Sequence, residues 1–507
     1  MSKGDEGAVC DLLACRTTEA RVNRSTRARC PFVPRPYVQP SADLDIDMNL
    51  LNPILNIDSY KLSHHLQYPS GTTGISAYIE PRGQSQMPDI VFFGLQMFLK
   101  QHLSRPVTQA DIEEAEPIAR LHGLPFNRAG WQRIVDRFAG FLPLQIEALP
   151  EGMLVRRGVP MVQVTNTDPD SAWLTAYVET ALLRAIWYPS SIATTTRRIK
   201  QALQPFLERT CDTPEQTLLT QLFDFGARGT ASLEQAGLGG AAHLLHFTST
   251  DTLTGVLYAR EYYGAEMAGF SMPASEHTTM TAWGQAGEQA AYEHMIDTFG
   301  AGAYSVVSDS YDIANAVSEI WGKALHDKVV AAGGSLIVRP DSGDPIDTPV
   351  QVLAQLAYAF GTSLNGKGYK ILNHNIRVLQ GDGIALSDIN MILGRMEAMG
   401  YAAENMIFGM GAALLQKVNR DTYSFTMKAS ARRDADGIWH DIFKRPANMH
   451  EKASKSGRQA VVVEANQLVA IRLEDLGARE NWLVPAWING RLVNEWSFEE
   501  ARRRAAI

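Results

Sequence analysis

The feature that most constrains this chain is a pattern repeated between about Gln201 and Lys428: a short apolar run, a polar tip, then a helical stretch. "YSVVSD" ends at Asp309, "SLIVRPDSGD" has its tip near Asp341, "IRVLQGDG" ends near Asp382 and "NMIFGMG" ends at Gly411. Helical periodicity fills the intervals, over 311–331, 349–360 and 386–399. Apolar runs alternating with helices predict parallel strands, because a parallel connection has to cross the sheet and return. The fold class is therefore α/β, with an irregular parallel α/β barrel domain over 201–429. The flanks, 48–200 and 430–507, mix element types. "GISAYIEPRG" reads as a strand with a turn, "VETALLRAIWY" as a buried helix, and "QAVVVEA" and "NWLVPAWING" as strands before a charged final helix. These N-terminal and C-terminal regions are expected to combine in one α+β domain.

Residues 1–47 differ from the rest. They carry Arg16, Arg21, Arg24, Arg27, Arg29 and Arg35 with Pro31, Pro34, Pro36 and Pro40, and show no amphipathic period. They lack the apolar stretch of a secretory signal. The expectation is a disordered extension, or a mis-assigned start with Met48 as the true one. The net charge of -8 argues against a nucleic-acid partner, since duplex binding relies on a basic surface. A local cluster of Arg and Lys can still hold a phosphate. The best candidate for a membrane span, near Trp173 to Trp187, is interrupted by Glu179 and Arg184, so none is expected. Cys10, Cys15, Cys30 and Cys211 form no CxxC pair, which fits a reducing, cytoplasmic compartment.

Ligand chemistry in a parallel sheet or barrel gathers at the carboxyl ends of the strands. Those ends present Asp309, Arg339, Asp341, Asp382 and the turn at Gly409 and Gly411. Carboxylates there can hold Mg²⁺ or ribose hydroxyls. Arg339 can grip a phosphate with two parallel hydrogen bonds. "FGMGAALLQK" runs from strand into helix, so backbone N–H groups can receive a phosphate. An aspartate at a strand end is commonly a helix cap, but four consecutive polar tips with complementary chemistry argue for a ligand. Upstream, "FDFGARG" places Phe225 three residues before Arg228, "STDTLTG" places Asp251 just before a helix, and "SMPASEHTTM" holds Ser271 and His277. "DSYKLSHHLQYP" offers Asp58, Tyr60 and Lys61, while His64 and His65 lack metal-ligand spacing and read as surface.

Taken together, "DSYK", "YPSGTTGISAYIEPRG", "FFGLQ", "EGMLVRRGVPMVQVTNTDP", "DFGARG", "STDT", "PASEHTT", "VVSDSYD", "VRPDSGDPIDT", "RVLQGDG", "FGMGAALLQKVNRD" and "FKRP" resemble the nicotinamide phosphoribosyltransferases, from about Met48 almost to the C-terminus. The resemblance implies a type II phosphoribosyltransferase that joins nicotinamide to phosphoribosyl pyrophosphate, giving nicotinamide mononucleotide and pyrophosphate. It implies a homodimer with shared active sites, Mg²⁺ carried by the substrate pyrophosphate with Asp309 and Asp341 as candidate ligands, and ATP as a coupled co-substrate that phosphorylates a histidine. Residue by residue, Phe225 and, from the second subunit, Tyr60 resemble the aromatics that sandwich the pyridine. Asp251 resembles the acceptor for the amide, with Ser271 beside it. Arg339 resembles the group near pyridine and ribose phosphate, Asp341 the ribose- and catalysis-supporting acid, and Gly381 and Asp382 the ribose contacts. Gly411 and Ala412 resemble the turn that binds the 5′-phosphate. Arg228, Lys428, Lys444, Lys452, Arg420 and Arg82 resemble the basic wall around the pyrophosphate. His277 resembles the phosphorylated histidine and Asp309 the acid that orients it. One departure stands out: similar enzymes have a fuller glycine run where this chain has "MGAA". Alanine keeps the N–H donor but disfavours positive φ.

Two other readings compete with this one. A nicotinate phosphoribosyltransferase would be expected to lack an acid at position 251. A non-catalytic binding protein on the same fold would be expected to have lost part of the costly polar set, which is present here.

Overall fold

Strands of the two principal sheets are β1 Gly74–Pro81, β2 Leu144–Ala148, β3 Val162–Asn166, β4 Leu222–Asp224, β5 Ser249–Thr250, β6 Ala303–Val307, β7 Ser335–Arg339, β8 Arg377–Gln380, β9 Met406–Met410, β10 Phe425–Arg433, β11 Trp439–Asp441, β12 Val484–Ile488 and β13 Arg491–Leu492. A computed structural model describes residues 52–82, 87–446 and 453–506. The expected N-terminal extension and Lys452 lie outside the described residues.

The repeated pattern yields six parallel strands in the order β5-β4-β9-β8-β7-β6. Their apolar runs are buried because helices such as Asp347–Phe360 and Leu386–Ala398 cover the sheet. The chain over 270–275 joins the two edge strands. Phe270 bridges Ser249 on one side and Ala274 bridges Ser305 on the other. Thr250 N–H donates to Phe270 O (3.0 Å) and Ser305 N–H to Pro273 O (2.9 Å), which closes the sheet into an irregular barrel.

The second sheet is antiparallel, in the order β11-β10-β1-β3-β2-β12-β13. The C-terminal strands thus return to pair with the N-terminal ones. Every residue of β1 is buried, because one face meets an apolar cluster and the other lies under the hairpin Gln459–Arg472. Gln163 bonds that hairpin through Gln459, and Tyr78 accepts from Lys455 N–H.

Both expected boundaries fall inside elements. The helix Glu179–Thr210 crosses residue 200, and β10 crosses residue 429. The first part of that helix (Leu182, Ile186) packs in the cluster of the antiparallel sheet, and the later part (Ile192, Leu203, Leu207) in the barrel cluster. Contacts tie the described residues into one unit. The helix expected over 311–331 is divided: Ile313–Asn315, a wider π turn over Ala316–Ala324, then His326–Ala332. The wide turn accompanies a buried Trp321, whose indole N–H donates to Ser308 Oγ (3.1 Å) and whose ring stacks on Tyr292 at 4.7 Å. Among the described residues no helix is long and apolar enough to cross a membrane.

Candidate active site

The parallel register places Phe225, Asp251, Asp309, Arg339, Asp341, Asp382 and Gly411 at the carboxyl ends of the barrel strands. Asp224 pairs with Thr250, so Phe225 and Asp251 follow at adjoining tips. Asp251 N–H donates to Asp224 O (2.9 Å), and Phe225 N–H to Met410 O (2.9 Å). The Phe225 ring lies over two glycines. A Cβ at Gly409 would sit 2.2 Å from a ring carbon, and one at Gly381 would sit 3.3 Å away. Glycine is required at 409 for close approach, since its φ is not in the left-handed region. Asp251 Oδ1 accepts from Ser271 Oγ, so the closing segment of the barrel delivers a partner to the neighbouring tip.

Arg228 is exposed on the turn Ala227–Gly229. A Cβ on Gly229 would approach Ala412 Cβ to 2.7 Å, so the Ala412 methyl occupies space that Gly229 leaves. Gly411 precedes the helix Ala412–Gln416 with φ −85°, and neither Gly411 nor Ala412 has positive φ. Alanine in this turn therefore brings no backbone strain.

Just after the closing segment, His277 opens the helix His277–Thr281, directly after Glu276. Its Nε2 is 3.4 Å from Asp341 Oδ2 and 3.7 Å from Asp309 Oδ1. Its Nδ1 is 3.3 Å from Ser310 Oγ. The imidazole is 46% exposed, whereas the Asp309 side chain is 3% exposed with Oδ1 lacking a hydrogen-bond partner. Arg339 Nε lies 3.4 Å from Asp341 Oδ1. Between the two halves, Gly381 is half-buried and Asp382 exposed, and Gln380 Nε2 donates to Asp382 O (2.9 Å).

The antiparallel sheet gathers the basic residues. Lys428, on β10 opposite Tyr78, has its ammonium held below the ordinary lysine value by burial. Glu179 opposes that shift, while the like charges of Arg82, Lys444 and Arg420 add to it. Glu80 is buried between Arg82 Nε (3.2 Å) and Lys455 Nζ (2.6 Å). Arg420 pairs with Asp421 at 2.6 Å and Lys444 is exposed. Tyr60 is 57% exposed and its ring meets His64 at 4.9 Å. Among the described residues the ring neighbour of Phe225 is Phe223 (5.6 Å), so Tyr60 and Phe225 do not stack within one chain. Asp58 and Lys61 are tied to Thr180 and Glu179 and anchor the start of the fold.

Three further residues reach the site in the structure: Asp224 under Phe225, Ser310 beside His277, and Lys455 on Glu80. Asp224 and Ser310 lie within "DFGARG" and "VVSDSYD", next to Phe225 and Asp309, whereas Lys455 joins through pairing distant in sequence. Among the described residues no group of three or more His, Cys, Asp or Glu side chains is arranged to hold a metal ion.

Known proteins share both the sequence and the fold. Residues 52–146 match the Nicotinamide phosphoribosyltransferase, N-terminal domain, and residues 220–474 the Nicotinate phosphoribosyltransferase family. A nicotinamide phosphoribosyltransferase of Xanthomonas campestris pv. campestris (strain 8004) is 47% identical over 462 residues, 90% of this chain and 98% of that protein. The structure of nicotinate-nucleotide pyrophosphorylase from Pyrococcus furiosus is similar with a TM-score of 0.57 at 17% identity, over 90% of this chain and 95% of that one. Human nicotinic acid phosphoribosyltransferase gives 0.52 at 17% identity, over 89% and 92%. At that identity the structural likeness speaks for the fold alone.

Proposed function

The chain belongs to the nicotinamide phosphoribosyltransferase family, and on that premise we propose that it forms nicotinamide mononucleotide and pyrophosphate from nicotinamide and phosphoribosyl pyrophosphate. One observation carries the choice of substrate: Asp251, held by Ser271, adjoins Phe225 at the next strand tip. A flat ring on Phe225 would present its amide to the Asp251 carboxylate. Nicotinate would bring a second carboxylate there, and two close carboxylates repel.

The pyridine nitrogen attacks C1 of the ribose, the bond from C1 to the pyrophosphate oxygen breaks, and its electron pair leaves with pyrophosphate. The attacking nitrogen carries no proton, so no general base is needed. Phe225 of one subunit and Tyr60 of a second copy hold the ring flat and close. Tyr60, Leu253, Leu257 and Phe270 are exposed apolar side chains that a second copy could cover. Asp341 and Asp382 face the positive charge that grows on the ribose, Arg339 holds its phosphate end, and the Gly411–Ala412 turn receives the 5′-phosphate. Lys428, Arg82, Arg420, Arg228 and Lys444 stabilise the departing pyrophosphate. Asp309, whose buried Oδ1 accepts no hydrogen bond, and Asp341 fit as carboxylate ligands for a pyrophosphate-bound Mg²⁺. That ion would supply charge neutralisation on the leaving group.

His277 accepts the terminal phosphoryl group of ATP on a ring nitrogen, with ADP leaving. Its exposure and the two flanking carboxylates support that role.

A nicotinate substrate is the second reading, favoured by the match of residues 220–474. The test is mononucleotide formation from phosphoribosyl pyrophosphate and Mg²⁺ with either pyridine, with and without ATP. A higher kcat/KM for nicotinamide supports the reading. Preference for nicotinate overturns the role of Asp251, and no product from either refutes the enzyme reading.

A further inference from the structure

We propose that Asp224 is the positioning residue of the pyridine pocket: it touches no substrate, yet it fixes Phe225 and Asp251 relative to each other. This rests on the functional reading above. Asp224 ends β4 and is fully buried beneath both residues. Its Oδ1 accepts from Gly226 N–H at 2.7 Å, which clamps the turn that carries Phe225. Its main-chain carbonyl accepts from Asp251 N–H at 2.9 Å, which holds the next strand tip. Phe225 itself is tied to β9 through Met410 O. One residue thus links the aromatic wall to the polar acceptor.

The turn has no slack. A Cβ on Gly226 would lie 2.5 Å from Leu415 Cγ and 2.9 Å from Asp224 Oδ1. Phe225 is confined by Gly409 and Gly381. If Oδ1 is removed, a buried N–H loses its acceptor and the strand end has to move. Phe225 and Asp251 then shift apart. Arg228 follows in the same turn, but its long exposed side chain can re-aim, so the pyridine side bears the loss.

The other oxygen, Oδ2, is buried without a regular hydrogen bond and faces the Thr252 hydroxyl, which is also buried. Burial pushes the Asp224 carboxyl up, and His243 opposes that shift. The geometry needs an acceptor at Oδ1 and has no need of a full charge. Asparagine supplies that acceptor and turns its amide N–H₂ toward the Thr252 oxygen.

The test compares Asp224→Ala and Asp224→Asn, with KM measured separately for nicotinamide and for phosphoribosyl pyrophosphate, and thermal unfolding recorded for each. Asp224→Ala is expected to raise the nicotinamide KM about tenfold or more, and the phosphoribosyl pyrophosphate KM less than about threefold. Asp224→Asn is isosteric and is expected to keep both constants within about threefold of wild type, with no loss of melting temperature. If Asp224→Ala moves both constants equally, the positioning role fails. If Asp224→Asn loses nicotinamide affinity, the acceptor argument fails, and that outcome is readable even where the alanine variant does not fold. Absence of transfer by the wild-type enzyme would instead sink the functional reading.

Discussion

Gly409→Ala should displace the Phe225 ring without replacing any side chain proposed to face the substrate. Gly409 lies within β9, fully under Phe225. The added methyl would start 2.2 and 2.5 Å from two ring carbons, well inside contact distance. Backbone on one side and a ring on the other cannot both stay, so the ring tilts away. Overpacking of this kind costs about 1–3 kcal/mol of stability. A lost or misaligned aromatic stack is worth about 0.5–1.5 kcal/mol, which is about two- to twelve-fold in affinity at ~1.4 kcal/mol per tenfold. The assay is steady-state turnover with nicotinamide varied at saturating phosphoribosyl pyrophosphate, together with thermal unfolding. Phe225→Ala should weaken nicotinamide by at least as much. In the double variant the methyl meets empty space, so adding Gly409→Ala to Phe225→Ala should cost almost nothing more. A Gly409→Ala protein with wild-type KM and melting temperature would refute the geometry. Full additivity in the double variant would show that the ring and the glycine act separately.

Other expectations follow from the same face. Asp251→Asn should reduce discrimination between nicotinamide and nicotinate by about tenfold, ~1.4 kcal/mol of relieved repulsion; an unchanged ratio of kcat/KM values contradicts the amide reading. His277→Ala should keep transfer in the absence of ATP but lose ATP stimulation and the acid-labile phosphate seen on incubation with labelled ATP; retained label would place the phosphoryl group elsewhere. Lys428, held below the usual lysine value by burial, should lose its charge earlier as pH rises. The KM for phosphoribosyl pyrophosphate should therefore climb on the alkaline side, and Lys428→Arg should flatten that limb. The sign for folding is opposite: between the folded and unfolded values the unfolded chain binds the extra proton, so this group favours folding more as pH rises. A wild-type alkaline limb identical to that of the arginine variant removes Lys428 from the pyrophosphate site.

The barrel strands and most of their tips are legible in the order of the amino acids. A parallel strand buried on both faces needs a continuous apolar run, and its polar tip is adjacent in the chain, so Asp309, Arg339, Asp341 and Asp382 are legible from local pattern. The motif strings that resemble the phosphoribosyltransferases added His277, Asp251 and the basic residues by position. Tertiary structure alone decided the strand order β5-β4-β9-β8-β7-β6, because hydrogen bonds between parallel strands join residues far apart in sequence. It also decided that 270–275 closes the barrel, a role no periodicity marks since that segment pairs through isolated bridges. The convergence of Arg82, Arg420, Lys428 and Lys444 depends on β1 lying beside β10. The need for glycine at 409 depends on where Phe225 comes to rest. Local chemistry is written in neighbouring residues, whereas close approach and charge convergence are set by packing across the fold.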